Sequence, residues 1–546
     1  MVGAALVLVA RYAHNIPYYD DWSMVDVLAG AESVDLRWLW EPRNGHRIAV
    51  PKLVLLGLHT VTNWDFRAGM YASVLLLAVA SGALILAASR RRGSIRHSDA
   101  VFPLLLLNWG HYDNLLWGWQ VTQVLPLTVT ALFLAAIVRW GFEPPFRVAV
   151  LAGLGLVTLP LSGVLGLACT PGLGLWLGGS AHRRWVGGTG SARRQAVVIW
   201  VLTAIALLLV PVYFVALRNT GVPPLDVIPS AKTAVSFLAY GLGPAAGVVR
   251  PWPTVATFVV FVVATGYLLV ALRDPNASRR AHAGALLCAL IAFAGLTASV
   301  ASRPYGLPHR YFLFAAPALC WVYLVVDFVH RRDVARAGRA VLLLVAAAVA
   351  VYNAPAGLGY ARARSAGMSA FAADVRAGLP ASQLLARHQR TLMPFPGEGG
   401  AFAHDVLALD FDALRRSRIG VFASLAPERS VRPLDILSVA ERTLTTDADG
   451  RSAWMWRLAE PSHVAGIRIQ KPDSVRDGPW TLEWTPTASV PFVRARRYVH
   501  WWTAQEKTAT VWIYDSVAML RHPVPATGEA PPPPHLQLLL LPAGGQ

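Results

Sequence analysis

The sequence predicts an α-helical polytopic membrane protein that ends in a water-soluble α/β region with a small β-sandwich. Of its 546 residues, 55% are hydrophobic and only 15% are charged, and the mean hydropathy is +0.45. A soluble chain of this length is less apolar. Apolar stretches such as residues 196–217, 254–272 and 283–302 can each cross a hydrocarbon core of about 30 Å, which needs roughly 20 helical residues. We expect about eleven transmembrane helices.

The net charge is +18, and the arginines lie mostly in short clusters between the apolar stretches. Lys and Arg residues concentrate on the cytoplasmic side of membrane proteins. We therefore interpret the charge as topology rather than nucleic-acid binding, and predict that residues 90–96, 139–147, 183–194, 273–280 and 331–339 are cytoplasmic loops. The loops that alternate with them are predicted to face outward: residues 11–67, 110–118, a turn near 162, 218–232 and 303–308.

This alternation requires that one weakly apolar stretch, residues 233–249, does not cross the membrane fully. We expect a re-entrant or interfacial helix there, a last span near residues 341–354 and a C-terminus outside. Residues 2–10 are too short to span, and we interpret them as the end of a first transmembrane helix.

The three cysteines lie in apolar segments, so we expect neither disulfides nor a thiol metal site.

The predicted domains are a membrane domain over residues 1–356, a mixed connector over 357–429 and a β-rich domain over 430–546. Alternating β-formers predict strands at residues 465–470, 480–484, 498–502 and 508–514. Short strands at close spacing favour a small β-sandwich within residues 430–524. The proline-rich end, from residue 531 onward, is expected to be irregular.

The first outward loop contains two adjacent carboxylates, Asp20 and Asp21, between the aromatic residues Tyr18, Tyr19 and Trp22. An apolar boundary raises the pKa of a carboxyl group, and a second carboxyl beside it raises that pKa further, which suits a general base. The pair is therefore the candidate catalytic site. A solvated loop with interfacial aromatic residues is the alternative.

Two further polar groups are candidate substrate-binding sites. His46 and Arg47 lie in a basic stretch that could bind hydroxyls and phosphates, or could rest on anionic headgroups. In the loop at residues 108–120, Trp117 could stack on a sugar ring while Asn114 and Gln120 bond to its hydroxyls. An interfacial aromatic belt would explain the tryptophans but not the amides.

A late outward loop contains Arg303, Arg310 and Tyr311. Positive residues are unusual on the outer side, and holding a lipid phosphate at the membrane surface is one reason to keep them there. Snorkelling side chains that anchor the helix are the other explanation.

Together these features resemble the GT-C superfamily of polytopic glycosyltransferases. The resemblance rests on the acidic pair Asp20 and Asp21, the many spans, the late Arg310 and Tyr311, and the soluble C-terminal domain. It implies transfer of a sugar, with inversion, from a polyprenyl-phosphate carrier to a glycan, lipid or protein acceptor of the cell envelope, at the outer face of a bacterial cytoplasmic (inner) membrane. A first-loop aspartate would be the base or would hold a metal, and the soluble C-terminal domain would resemble a carbohydrate-binding sandwich. No later acidic motif is present here, so Mg²⁺ or Mn²⁺ remains an open expectation.

A transporter or flippase of lipid-linked sugars is the main alternative, because it would use the same arginines and tryptophans without bond chemistry. Such a protein is expected to place charged residues or broken helices near the bilayer midplane. The predicted spans contain few charges, which favours the enzyme. A cell-wall anchor is a third possibility, but an anchor does not need about eleven spans.

Overall fold

The computed structural model describes residues 1–43, 45–215, 226–248, 251–301, 307–394, 401–426, 432–446, 452–471, 478–485, 496–502, 507–524 and 533–540. The chain divides into two compact units. The membrane unit comprises Met1–Asn15 and Ser33–Ser365, and the C-terminal unit comprises Ile16–Glu32 and Ala366–Gln546. Part of the first predicted outward loop therefore belongs to the C-terminal unit.

The helices follow one another in this order: α1 Val2–Tyr12, α2 Val25–Leu28, α3 Leu36–Trp40, α4 Ala49–Val61, α5 Arg67–Arg92, α6 Val101–Leu106, α7 Tyr112–Leu116, α8 Val121–Trp140, α9 Phe146–Thr158, α10 Val164–Gly187, α11 Gly190–Phe214, α12 Val227–Tyr240, α13 Ala245–Val248, α14 Trp252–Ala271, α15 Ala277–Ala301, α16 Phe312–Phe328, α17 Arg332–Arg376, α18 Ala381–Leu392 and α19 Ala401–Arg416.

Eight helical segments in the described part of the chain are long and apolar enough to cross a membrane, so the prediction of a multi-pass membrane protein is confirmed. They are Arg67–Arg92, Gly118–Trp140, Val164–Gly187, Gly190–Phe214, Trp252–Ala271, Ala277–Ala301, His309–Phe328 and Arg332–Arg376. The shorter apolar helices are α1, α4 and α9. Because these three are shorter than a full crossing, the count of about eleven stays a prediction.

The helices pack closely where small residues allow it. A Cβ atom at Gly172 of α10 would collide with the backbone of Ala292 of α15, and one at Gly295 would collide with the backbone of Ala168. Glycine at both crossings lets α10 and α15 touch along their backbones, which is how membrane helices gain packing energy without a hydrophobic driving force.

Helices α5 and α8 run parallel, because their first residues meet and their last residues meet. Gly69 lies against the backbone of Gly118 at one end, and Arg139 Nη1 donates to Arg90 O at 3.3 Å at the other. The intervening chain must return across the unit. It does so through α6 and α7, neither of which is longer than 6 residues, so this crossing is a broken helix.

The predicted basic loops all lie at one end of the membrane unit, which we call the basic end. Arg183 pairs with Glu143 at 2.9 Å, and Arg279 Nη1 lies 2.7 Å from His330 Nδ1. The guanidinium of Arg91 lies 4.7 Å from the ring centroid of Phe328. Loops that share one side of a membrane are expected to meet in this way. We call the opposite end the polar end.

Two short helices occupy the stretch predicted not to cross the membrane. Helices α12 and α13 have 14 and 4 residues, fewer than the roughly 20 that a crossing needs. The turn between them is fixed by Asn353 of α17, which accepts from Ala245 N at 2.9 Å and donates to Leu242 O at 2.9 Å. This arrangement agrees with the expected re-entrant or interfacial helix.

Helix α17 departs from the prediction. Residues 341–354 form only its middle, because the helix runs without interruption over 45 residues. The boundary between the two units, at Ser365, falls inside it. The short helical pattern after residue 357 is therefore the continuation of the last span.

The described residues of the C-terminal unit form one antiparallel sheet of seven strands. The strands are β1 Arg432–Asp435, β2 Ala440–Thr446, β3 Ser452–Gln470, β4 Gly478–Thr485, β5 Arg496–Trp502, β6 Thr508–Pro523 and β7 His535–Leu540. Their order is β1-β7-β3-β6-β4-β5, and β2 also pairs with β3. The core of the sheet includes the buried side chains Trp456, Ile467, Leu482, Leu520 and Leu538.

The structure confirms strands at all four predicted places and corrects one expectation about the end of the chain. The described strands are hydrogen-bonded into one sheet, so the β-sandwich stays a prediction. The long strand β3 exchanges one neighbour for another, β2 for β7, across register shifts between Arg457 and Gly466. The end of the chain is not irregular throughout, because β7 pairs with β1 and β3 and buries Leu536, Leu538 and Leu539.

The buried His522 of β6 makes the C-terminal unit sensitive to acid. Burial lowers the pKa of His522 below its usual 6.5, although its hydrogen bond to Thr481 O opposes the shift. The unfolded chain then takes up a proton first as the pH falls. The contribution of neutral His522 to the free energy of unfolding is therefore fully present above about pH 6.5. It is lost as the pH falls from that value toward the lower pKa of the folded state.

We expect hydrogen exchange in β4 and β6 of the full chain, corrected for the intrinsic rate, to be less protected at pH 5.5 than at pH 7.5. The variant His522→Gln keeps a donor for Thr481 O but cannot titrate, so it should lose much less protection. An equal loss in the two proteins would contradict this role of His522.

Candidate functional site

The acidic pair lies on a 3₁₀ helix, Tyr19–Met24, in the C-terminal unit. Tyr18 N donates to Asp21 Oδ2 at 3.1 Å, which caps the start of the helix. The side chain of Asp21 is buried, with 2% exposed, while Asp20 is half-buried. Tyr19 has a φ of +51°, an uncommon backbone conformation for a bulky residue. The hydrogen bond to Asp21 and the backbone conformation of Tyr19 thus fix the turn that carries the two carboxylates.

Trp22 anchors this turn within the C-terminal unit. Its ring centroid lies 5.4 Å from Phe411 and 6.0 Å from Phe422. Phe371 packs against the same two phenylalanines at 5.6 and 5.7 Å. These four rings bury a large apolar area together. Residues 16–32 are consequently held by residues almost 400 positions later in the chain.

In the membrane unit, two predicted loops meet in an aromatic cluster, which we define as Tyr112, Trp117, His309, Arg310 and Tyr360. The guanidinium carbon of Arg310 lies 5.8 Å from the ring centroid of Trp117. The hydroxyl of Tyr112 is hydrogen-bonded to His309 Nδ1, and its ring stacks on Tyr360 at 4.4 Å. A half-buried arginine among aromatic rings is suited to bind an anion at an apolar surface.

Tyr311 is buried, and its ring lies 4.8 Å from that of Phe314. It therefore helps to pack the start of α16, one residue after the arginine of the cluster. Arg303, the other candidate for lipid phosphate, lies outside the described residues.

A pair of buried amides adjoins Trp117 in the chain. Asn114 Nδ2 donates to Gln120 Oε1 at 2.9 Å, and both side chains are fully buried. Within the described part of the chain, Asn114 Oδ1 and Gln120 Nε2 have no hydrogen-bond partner. An unpaired acceptor and an unpaired donor can be satisfied together by one hydroxyl group or one water molecule.

A buried polar network supports this region, and the sequence reasoning missed its central residue. Asn353 Nδ2 donates to Asn108 Oδ1 at 3.1 Å, and the same oxygen accepts from Gly110 N at 2.9 Å. His111 and Asn108 are joined at 3.1 Å. The signal in the sequence was a single amide inside the apolar run of α17, where an unpaired polar group would be costly.

The other predicted substrate-binding residues have structural partners. Arg47 is 3% exposed, and its Nε and Nη2 donate to Tyr213 O at 2.9 Å and Val215 O at 2.6 Å. These carbonyls end α11 and have no helical partner. Nη1 of Arg47 donates to Trp40 O at 2.5 Å. His46 pairs through its backbone with Arg43 at 2.8 Å.

Lys52 behaves like Arg47. Its ammonium group is buried and donates to Trp38 O at 2.5 Å and Glu41 O at 3.0 Å. The basic stretch at residues 43–52 thus contributes two buried cations that hold neighbouring backbone. We assign both a structural role, while the role of His46 in substrate binding stays a prediction.

Comparison with known proteins adds no relative: no family model, no curated protein and no solved structure matches the chain. Among the described residues, no group of three or more His, Cys, Asp or Glu side chains could hold a metal ion. Fold and composition define a multi-pass membrane protein.

Replacing Arg47 by Gln should lower the thermal unfolding midpoint of the purified chain, because three carbonyls lose a charged donor. The expected cost is about 3 kcal/mol. The matched control is Arg37→Gln, because Arg37 is exposed and its replacement should cost less than about 0.5 kcal/mol. Equal midpoints for both variants would refute the structural role of Arg47.

Proposed function

We propose that this protein is an inverting glycosyltransferase that uses a polyprenyl-phosphate-linked sugar. The main support is the meeting of Arg310 with Trp117 at 5.8 Å at the polar end. This contact provides a cation for a phosphate, and the buried ring of Trp117, 1% exposed, holds that cation in place. The unpaired amide groups of Asn114 and Gln120 offer hydrogen bonds for a sugar hydroxyl.

In this proposal, the acceptor hydroxyl attacks the anomeric carbon of the donor from the face opposite the phosphate. The bond between that carbon and the phosphate oxygen breaks, and polyprenyl phosphate leaves with the electron pair. Arg310, with Arg303, stabilises the charge that develops on the leaving group. The proton of the acceptor hydroxyl passes to a carboxylate of residues 16–32.

Asp20 is the better base of the pair. Asp21 is almost fully buried and accepts from Tyr18 N, so its carboxylate already stabilises the local turn. Asp20 is more accessible, and a base must reach the proton that it removes. A divalent metal ion, Mg²⁺ or Mn²⁺, could assist this reaction. In this proposal the acceptor is a glycan, lipid or protein, and the reaction takes place at the outer face of a bacterial cytoplasmic membrane.

The transporter or flippase is a second candidate, because one observation favours it. The chain between α5 and α8 crosses the membrane unit as a broken helix, α6 and α7. Transporters often build their binding sites from such interrupted helices. A transporter would move the donor without cleaving it, so an assay of bond cleavage separates the two.

Asp20→Asn preserves size but removes the proton acceptor, so sugar transfer should fall by about 10² to 10⁴-fold. The measurement uses the reconstituted full chain and a panel of undecaprenyl-phosphate-linked hexoses and pentoses. Donor binding should be unchanged, and Asp21→Asn should chiefly reduce stability. If the parent cleaved none of these donors but moved a donor across the vesicle membrane, the protein would be a transporter instead.

Arg310→Gln should weaken donor binding about tenfold as well as slow transfer, because its contact with phosphate exists before the reaction and during it. Lys232→Gln is the matched control, since Lys232 is exposed on α12. If both variants bound the donor as the parent does, Arg310 would be an interfacial anchor.

A further inference from the structure

At the basic end, the membrane unit contains a pocket of about 570 Å³ that the proposed reaction does not use. Five arginines line it, together with Ser98, Asp327 and four apolar residues. The arginines come from two parts of the chain: Arg92 ends α5 and Arg96 follows it, and the others are Arg332, Arg336 and Arg339 of α17.

A buried carboxylate organises the inner wall of this pocket. Asp327, with 2% of its side chain exposed, lies 3.0 Å from Arg92 and 2.9 Å from Arg339. Arg92 also binds Asp99 through both carboxylate oxygens, at 2.7 and 2.6 Å. Two carboxylates therefore fix two of the arginines, as a buried charge requires.

The outer arginines leave a surplus of positive charge at the mouth. Arg96 is only 3.8 Å from Asp327, which Arg92 and Arg339 already neutralise. Arg336 contacts Asp333 at 3.5 Å, but both side chains are largely exposed, with 76% and 95% accessible, so this pair contributes little. Within the described residues, Arg332 forms no ion pair. The mouth therefore has an excess of cations.

Arginine in such a cluster favours phosphate, since its planar fork matches two phosphate oxygens. The first turn of α17 adds to this preference, because Arg332 begins a 45-residue helix whose N-terminus carries partial positive charge. Four apolar residues also line the pocket: Val329, which follows α16, and Ala335, Ala340 and Leu343, which lie on α17 with three of the arginines. A soluble phosphate compound would leave these apolar residues unused.

We propose that this pocket binds the phosphate group of an anionic membrane lipid, with the headgroup between Arg332 and Arg336 and the acyl chains beside Leu343. The pocket lies where α5 and α16 end and α17 begins, which is the level at which a lipid headgroup is expected. Basic pockets between transmembrane helices recognise anionic headgroups by this chemistry. The proposal does not depend on sugar transfer.

The test measures the thermal unfolding midpoint of the full chain in detergent during titration with dihexanoyl phosphatidic acid. We expect saturable stabilisation of the parent, none by dihexanoyl phosphatidylcholine, and none by sodium pyrophosphate at matched ionic strength. In the double variant Arg332→Gln/Arg336→Gln, the half-saturating lipid concentration should rise about tenfold or more.

The matched control removes two arginines from other basic loops, Arg194→Gln/Arg273→Gln, both of which are exposed. It should respond as the parent does. If the Gln variant did not fold, Arg332→Lys/Arg336→Lys would keep the charge without the forks and should still weaken binding. Equal responses of all variants to phosphatidic acid would show that this pocket is not the lipid-binding site. Stabilisation by pyrophosphate alone would show that its ligand is not a lipid.

Discussion

Hydrocarbon offers no hydrogen-bond partner to a backbone amide, a hydroxyl or a charge, and the membrane unit is organised by that constraint. Several hydroxyl groups inside the spans bond to the preceding turn, as Ser81 does with Leu77 O at 2.8 Å and Thr203 with Ile199 O at 2.8 Å. Charged side chains lie at the helix ends. Where carboxylates are buried there, as Asp327 is, arginines neutralise them. The same constraint separates a basic end from a polar end.

The cations of the membrane unit have different roles, and each role depends on the partner. Arg47 and Lys52 donate to backbone carbonyls and are structural. Arg92 and Arg339 bind a buried carboxylate. Arg310 lies over aromatic rings, where binding an anion would add to its interactions. Residue type alone therefore does not separate structural arginines from functional ones.

Long apolar runs and basic loops could be predicted from the sequence because each depends on local composition and on one dominant force. Three features could not, since each depends on contacts between distant residues. The placement of residues 16–32 depends on Trp22 packing against Phe411, and β7 forms because it pairs with β3. The role of Arg47 depends on the carbonyls that end α11. Trp117 and Arg310 belong to two groups that were predicted separately and that the fold brings together. The central role of Asn353 was indicated in the sequence only by a single amide within an apolar run.

The most direct test of this account is the side of the membrane on which each end lies. Exposed positions suited to single cysteines are Ser191 in a basic loop, Thr62 after α4 and Ser438 in the C-terminal unit. With a membrane-impermeant maleimide on intact cells, Thr62→Cys and Ser438→Cys should be labelled, and Ser191→Cys only after permeabilisation; the parent, with Cys169 and Cys320 buried, gives the background. Labelling of Ser191→Cys and Thr62→Cys from the same side would contradict the separation of the two ends.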